Sequence, residues 1–305
     1  MNEKLPASPE IIDNERLETI WEKAINQNAE TREALEKIDK PKALEILRVA
    51  AQRMRVFEAL ADADKANNLQ ISPEVAEKIG SIWLFSGVGT YDKPLKEERT
   101  IDGKTYPGDN PLLADKPFLL GGNRRRINQG IWLARRIAEA RSGKKIEAVP
   151  PEKLPEQREA IKKLIAEYGP YIVFGGYDIE NIEAEELLEQ ERTVMPKEKV
   201  LIAIRKDGVP MKTTTDQVHY FESPEEVRDM QVAFVSDGTH LNRILHIAKK
   251  FPEHLPIGKP VNLFPSAIPE YGREEFANME LQGLLAYMYK DHVAAEEPHP
   301  YTLER

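Results

Sequence analysis

The feature that most constrains the fold is a series of short apolar runs beginning near Ser81, each ending in glycine or in small polar residues. Between these runs the apolar residues recur at helical spacing. Continuous apolar runs of this length are typical of strands buried on both faces, and their alternation with helices favours a parallel sheet. Residues 81–290 are therefore predicted to form an α/β, Rossmann-like domain with a mostly parallel sheet and helices on both faces. The predicted strands are 82–85, 118–120, 171–174, 200–204, 232–235 and 261–264, and the predicted helices are 126–141, 156–168, 180–192, 224–230, 239–251 and 273–289.

Residues 1–80 have a different pattern, because helical spacing continues through them without an apolar run of strand type. Ser72-Pro73-Glu74 is typical of a helix start, with Ser72 as N-cap and proline in the first turn. We expect an all-helical segment whose apolar stripes pack against the main domain or against a second copy of the chain, which would make a homo-oligomer. Residues 91–117 are interpreted as an insertion that forms either a lid or a small hairpin, and residues 291–305 as a C-terminal tail.

The composition excludes several kinds of site and location. The chain has no cysteine, which excludes disulfides, a thiolate nucleophile and cysteine-ligated metal sites. It has neither the apolar core of a signal peptide nor a run of about 18 apolar residues, so we expect a cytoplasmic protein without a membrane span. The net charge of −9 argues against a nucleic-acid partner, since such binding needs a basic surface. No metal site is assigned.

The candidate ligand-binding residues follow the predicted strands, because ligands of parallel sheets bind at the carboxyl ends of strands near helix N-termini. The first such turn contains Gly87 and Gly89, two residues apart. Glycines at this spacing let a phosphate or a ribose approach the backbone closely, but they also suit a tight turn without a ligand.

A stronger signal is Gly121-Gly122, which leads through Asn123, Arg124 and Arg126 into a predicted helix. From residue 124 to residue 145 there are eight basic residues and one acidic residue. Arginines at a helix N-terminus add charged donors to backbone N–H groups that already favour an anion. We therefore expect Gly121, Gly122, Asn123, Arg124 and Arg126 to bind a phosphate or a carboxylate, whereas the basic residues near the helix end are explained by its C-terminal dipole.

The second diglycine, Gly175-Gly176, opens into an acidic helix. Most of its carboxylates are expected to face water. Glu183 is preferred as the one that reaches a ribose hydroxyl or a metal ion, although acids in a first turn also suit the helix dipole alone.

Several polar residue types then occur together after the strand at 232–235, at a strand-to-helix turn. Asp237, Thr239, His240 and Arg243 all lie within this turn and the helix after it. His240 is a candidate acid–base group and Arg243 a candidate anion clamp, while Asp237 or Thr239 also fits a simple N-cap. If the protein is an enzyme, Asp237 and His240 are the preferred catalytic residues.

Taken in order, these turns resemble the bacterial domain-of-unknown-function family that includes the YdcF, SanA and ElyC proteins. The matching segments are Gly175-Gly176, Glu183-Ala184, 196–200, Thr215-Asp216-Gln217, 240–243 and 281–287. The resemblance implies a Rossmann-like fold and, from the YdcF branch, S-adenosylmethionine or a nucleotide-like ligand. The ElyC branch implies a link to envelope lipid-carrier metabolism. On the family pattern, Thr215 and Gln217 join the candidate ligand-binding residues.

Three functions remain open at this stage, and whether the protein is an enzyme is not decided. The favoured one is a small-molecule-binding protein for an adenosyl, nucleotide or phosphorylated anionic ligand, with or without a reaction. The second is a hydrolase or transferase acting on a phosphorylated envelope precursor through a metal ion held by Glu183 and Asp237. The third is an interaction protein that works through its helical N-terminus.

Overall fold

A parallel sheet forms the centre of the fold in the computed structural model, which describes residues 14–87, 99–101, 104–106, 122–147, 149–176, 180–181, 184 and 194–305. The strands are β1 (Ile79–Phe85), β2 (Arg99–Ile101), β3 (Lys104–Tyr106), β4 (Tyr171–Gly175), β5 (Val200–Ile202), β6 (Gln231–Asp237), β7 (Val261–Ser266) and β8 (Tyr301–Thr302). Six of them make one parallel sheet in the order β5-β4-β1-β6-β7-β8. The chain thus moves outward from β1 to β5, returns to the other side of β1 with β6, and continues outward to β8.

Helices cover both faces of this sheet. They are α1 (Asn14–Ile25), α2 (Ala29–Leu35), α3 (Lys40–Ala66), α4 (Pro73–Lys78), α5 (Gly122–Ser142), α6 (Leu154–Tyr168), α7 (Thr214–Tyr220), α8 (Gly238–Lys250) and α9 (Glu270–Leu285). Alternate strand residues separate the two cores: Trp83 and Phe85 face one, while Ile82 and Leu84 face the other. The predicted α/β class, the parallel sheet and the helices on both faces are confirmed.

The N-terminal segment is helical, as predicted, and it packs against the sheet. Its long helix α3 contacts α8 and β7. Met54 and Phe57 of α3 are fully buried in the same core as Trp83. At the end of the segment, Ser72 accepts from the Val75 N–H at 3.3 Å and Pro73 occupies the first turn of α4, which confirms the predicted helix start.

The elements differ from the predictions in several places. The helix predicted at 224–230 is wrong: only a single 3₁₀ turn, Glu225–Val227, precedes β6, because the chain must be extended again from Gln231. Helix α5 begins at Gly122, before the predicted start. Helix α7 was not predicted. Within the insertion, by contrast, β2 and β3 form an antiparallel hairpin, which was one of its two predicted forms. The strand predicted at 118–120 and most of the helix predicted at 180–192 lie outside the described residues.

The C-terminal tail contributes β8, which pairs with β7 at the edge of the sheet. Across the part of the chain that the structure describes, none of the helices combines the length and apolar character needed to cross a bilayer.

Candidate functional site

The candidate site lies where the strand order reverses, at the carboxyl ends of the neighbouring strands β1 and β6. Gly87 follows β1 and Asp237 is the last residue of β6. Helices α5, α7 and α8 begin beside these two strand ends. In open parallel sheets this reversal leaves a crevice outside the carboxyl edge, and ligands bind in it.

A fully buried ion pair forms the floor of the site. Arg126 Nη2 lies 2.5 Å from Asp237 Oδ2, and the two side chains are 0% and 1% exposed. The other oxygen, Asp237 Oδ1, accepts from Ser266 Oγ at 2.7 Å. Asp237 occupies the N-cap position of α8, but its side chain makes no capping hydrogen bond. The carboxylate instead joins α5 and β7 to the end of β6, and both of its oxygens are engaged.

His240 lies in the first turn of α8, at the centre of a chain of hydrogen bonds. Its Nδ1 is 3.0 Å from Ser236 Oγ, which donates to the Phe85 carbonyl at 3.3 Å. Its Nε2 is 3.1 Å from Thr214 Oγ1, which accepts from Arg243 Nη1 at 3.4 Å. Because each hydroxyl carries a single proton, Ser236 accepts from Nδ1–H and Thr214 donates to Nε2. The network therefore assigns His240 as the neutral Nδ1–H tautomer.

The electrostatic surroundings keep this imidazole uncharged. Burial holds the pKa of His240 well below its usual range, and the positive charges of Arg243 and Arg126 lower it further. Proton transfer by His240 would require the release of one of its two hydrogen bonds. In this arrangement its role is to hold Thr214 and Ser236 against the end of β1.

Gly87 brings the backbone close to both buried groups. A Cβ atom at this position would lie 3.1 Å from His240 Nδ1 and 3.2 Å from Arg126 Nη2. Those contacts are tighter than nine in ten real Cβ contacts, so with a side chain here His240 or Arg126 must shift by a few tenths of an ångström. The Gly87 N–H also donates to Asn123 Oδ1 at 3.4 Å, and the same oxygen accepts from Arg126 Nη1 at 2.7 Å.

Gln217 of α7 joins β1 to β4. Its Nε2 donates to the Gly175 carbonyl at 2.6 Å and to Ser86 Oγ, which fixes the orientation of the amide. Its Oε1 is buried and has no hydrogen-bond partner in the part of the chain that the structure describes. An unpaired buried acceptor is costly, so this oxygen is available for a donor on a ligand.

Glu180 is the acidic residue that the structure places in the site. It is buried, and its Oε1 accepts from Asn123 Nδ2 at 3.2 Å. Its Oε2 lies so close to Gly176 that a Cβ at that position would collide with it. The expectation that this carboxylate faces water is therefore wrong; the preferred Glu183 lies outside the described residues, as do Gly89 and Gly121.

The three successive arginines of α5 differ in burial. Arg124 is exposed, Arg125 is half-buried and Arg126 is fully buried. Burial lowers the pKa of Arg125, and the charge of Asp237 opposes that shift. Two arginines of the first turn thus remain partly accessible to solvent beside the start of α5.

The basic residues toward the end of α5 have partners more specific than the helix dipole. Arg135 and Arg136 pair with Glu139 at 2.8 Å and 2.5 Å. Arg141 donates to the carbonyls of Ala76 and Tyr168, at the ends of α4 and α6. These residues therefore connect helices and lie apart from the site.

The remaining predicted residues are divided between the site and its surroundings. Arg243 pairs with Glu280 through two hydrogen bonds of 2.7 Å and 3.2 Å, which neutralise it. Thr239 is buried and faces the opposite side of the α8 N-terminus, toward Glu58 of α3. Thr215 is half-buried, and among the described residues its side chain has no hydrogen bond; its neighbour Thr214 is the residue that reaches His240.

The hydroxyl and carboxylate groups that hold the predicted residues in place are not apparent as site residues from the sequence: Ser86, Glu180, Thr214, Ser236, Ser266 and Glu280. Most of them come from other elements, so only the sheet register and helix packing bring them in. Thr214 alone had a usable signal, because Thr213 and Asp216 form a capping box that marks the start of α7.

No family model matches the chain, and no curated protein or solved structure matches it either. The residues of the site are therefore assigned on their geometry alone, and the resemblance to the YdcF, SanA and ElyC proteins stays a prediction.

Proposed function

We propose that the protein binds a small anionic ligand of nucleotide, adenosyl or phosphorylated type in the crevice between the carboxyl ends of β1 and β6. The observation that carries this proposal is the buried polar cluster around Gly87. An ion pair, a neutral imidazole and an unpaired amide oxygen, Gln217 Oε1, meet there at the reversal of the strand order. Such a cluster is expensive to bury, and a packed apolar core would serve folding alone at least as well.

The charges at the start of α5 favour an anion. Arg124 and Arg125 lie in the first turn of this 21-residue helix, and the dipole of a helix N-terminus also favours negative charge. Deeper in the site, Gln217 Oε1 suits a donor such as a ribose hydroxyl or an amino group. A phosphate at the arginines and a sugar or base toward Gln217 satisfy both requirements with one molecule.

The proposal concerns binding, and His240 and Asp237 act in it as positioning groups. Both side chains already have their hydrogen-bonding atoms engaged, which supports a preorganised site. A reaction at His240 stays a prediction, as do a cytoplasmic location and the ligand class implied by the resemblance to the YdcF-like family.

Thermal-shift measurements test the proposal with ATP, AMP, S-adenosylmethionine, S-adenosylhomocysteine and glucose 6-phosphate. A ligand at 100 times its Kd stabilises the folded state by about 2.7 kcal/mol, so at least one of these compounds should raise the Tm by several degrees. If none of them raises it, the proposal is wrong.

Two glycine variants test whether the ligand that raises the Tm binds at Gly87. Gly87→Ala crowds His240 and Arg126 and should abolish or strongly reduce the ligand-induced rise in Tm. Gly283→Ala is the matched control, because a Cβ at Gly283 meets its nearest neighbour only at 3.8 Å. An equal loss of the ligand effect in both variants would contradict binding at Gly87.

A further inference from the structure

A second cavity lies on the other side of the α8 N-terminus, between α1, α3, α8 and α9. It has a volume of about 460 Å³ and opens to solvent. Its apolar walls come from Ala51, Met54, Ala59 and Ala277. This groove exists only because the N-terminal helices pack against the α/β domain, and it is separate from the crevice at Gly87.

Two buried polar side chains that line the groove are incompletely satisfied. Thr239, in the first turn of α8, is 1% exposed, and its Oγ1 has no hydrogen-bond partner within the described ranges. Glu58 of α3 is 7% exposed and lies against the same helix end, where a Cβ on Gly238 would be 2.5 Å from its Oε1. A buried hydroxyl without a partner is rare, and a polar group on a ligand in the groove would satisfy it.

The charged side chains of the groove leave one cation without a counter-ion. Arg16 lies 3.5 Å from Glu274, and Arg273 lies 2.7 Å from Asp62. Arg55 of α3 also lines the groove, is half-buried, and makes no hydrogen bond or ion pair with any residue that the structure describes. Its guanidinium is thus available for an anion.

Glu58 does not offset this positive charge at neutral pH. Burial raises the pKa of Glu58 to about 8, and the charge of Asp237 adds to the shift. The groups that face it are Asp62 on its own helix, Asp237 of β6, the Thr239 N–H of α8, Arg273 of α9 and, from α5, Arg125. Glu58 Oε2 also lies 3.4 Å from Arg273 Nε. Well below its pKa, as at pH 6.5, Glu58 is a neutral carboxylic acid, so the lining then carries three arginines against two carboxylates.

We propose that this groove is a second ligand site, which takes a small amphipathic anion consisting of a carboxylate or phosphate group on a short apolar body. The anion lies between Arg55 and the first turn of α8, where Thr239 supplies a hydroxyl. The apolar body lies against Met54 and the alanines. The proposal of this second site does not depend on the function proposed for the Gly87 crevice.

Methionine methyl NMR tests this proposal with two built-in reporters. Met54 lines the groove, whereas Met211 Sδ lies 3.0 Å from where a Cβ on Gly175 would be, beside the Gly87 crevice. The probe is 3-phenylpropionate, whose ring shifts nearby methyl resonances and whose carboxylate stays ionised between pH 6.5 and 9.5. Titration at pH 6.5 should move the Met54 resonance in a saturable way and leave Met211 unchanged.

Three comparisons make the outcome specific. The neutral analogue 3-phenylpropanol should move Met54 much less, and affinity for 3-phenylpropionate should fall as the pH rises through 8. Arg55→Ala should weaken binding by about tenfold, the usual scale for a charge-assisted hydrogen bond. Lys65→Ala, which removes the same charge from an exposed position of α3, should leave binding unchanged.

Thr239→Val keeps the shape of the side chain and removes only the hydroxyl. Because that hydroxyl has no partner, its removal should not destabilise the fold, so the variant should unfold at the wild-type urea concentration or a higher one and still bind the probe more weakly. A Met54 resonance that does not respond, or an equal response to the neutral analogue, would overturn the second site. A shift at Met211 alone would also overturn it while leaving the Gly87 crevice as a ligand site.

Discussion

At the scale of single residues, the site is dominated by ion pairing and protonation in a buried environment. Arg126 and Asp237 are both almost completely removed from water, at a desolvation cost that only their mutual attraction and further hydrogen bonds offset. Removal of one partner leaves the other charge buried and uncompensated. The pair is therefore much more sensitive to single substitution than a surface ion pair.

We expect Asp237→Asn to lower the free energy of unfolding by about 3–5 kcal/mol, because Arg126 would lose its counter-charge. Urea unfolding at pH 7 measures the loss, and the exposed Asp229→Asn serves as the matched control. The double variant Arg126→Met, Asp237→Asn should lose less than the sum of the two single variants. A single variant within about 1 kcal/mol of the wild type would show that the pair is not buried as described.

Glu58 makes the stability of the fold fall as the pH rises, whereas an ordinary ion-paired carboxylate makes it rise. Its pKa in the folded protein is raised from 4.5 to about 8, so the folded state holds this proton more tightly than the unfolded chain. Stability from this group is complete below about pH 4.5 and is lost as the pH rises to about 8, by at most about 1.4 kcal/mol per pH unit.

Glu58→Gln should remove this fall in the free energy of unfolding with pH, so that the variant gains stability relative to the wild type between pH 5 and pH 8. Unfolding free energies at several pH values measure the difference. Glu77→Gln, at an exposed position of α4, should follow the wild-type curve. Parallel curves for Glu58→Gln and the wild type would contradict a raised pKa.

At the scale of elements, the apolar runs and turn residues predicted the strands of the sheet because each of these signals is local. The runs at 82–85 and 232–235 form β1 and β6. Gly87 and Asp237, which follow these runs, lie at the same edge of the sheet because neighbouring parallel strands end there. The partners of these residues could not be predicted in the same way. Ser266 reaches Asp237 only through the pairing of β6 with β7, and Glu58 comes from a separate helical segment.

Helix α7 shows how a short element depends on its cap. It has only seven residues, too few for a periodic pattern, and it begins with a capping box in which Thr213 accepts from the Asp216 N–H and Asp216 accepts from the Thr213 N–H, both at 3.0 Å. The helix carries Thr214 and Gln217 into the site. Its stability is therefore linked to the geometry of the crevice.

Thr213→Ala should lower the free energy of unfolding by about 1 kcal/mol, the typical cost of losing an N-cap. It should also reduce the ligand-induced rise in Tm, since Gln217 depends on the same helix. Urea unfolding and thermal shift measure the two effects. Thr19→Ala, at an exposed position within α1, should cause neither, and equal effects of both variants would argue against the cap.

At the scale of the whole molecule, the N-terminal helices and the α/β domain share one hydrophobic core. Eleven of its buried residues come from α1, α2 and α3, and they pack with Trp83, Phe85 and Phe234 of the sheet. The ring of Phe57 also meets Tyr301 of β8 edge-on, with a centroid distance of 5.6 Å. The apolar stripes of these helices are thus used within the chain, and a homo-oligomer stays a prediction.

A chain that lacks residues 1–72 should therefore fail to form a native domain. Because one face of its sheet would be exposed, the truncated chain should show weak near-ultraviolet circular dichroism and should unfold in urea without cooperativity. A truncated chain that unfolds cooperatively, with the tertiary signal of the full protein, would show that the helices are an accessory to an independent domain.

The central claim is that the crevice at Gly87 binds a small anionic ligand. A crystal structure of the full chain, grown with the compound that raises the Tm most, tests it directly. The claim predicts ligand density at the carboxyl ends of β1 and β6, with a donor within hydrogen-bond distance of Gln217 Oε1 and the anionic group at the start of α5. Density for that compound at any other place in the molecule, with the crevice empty, would contradict it.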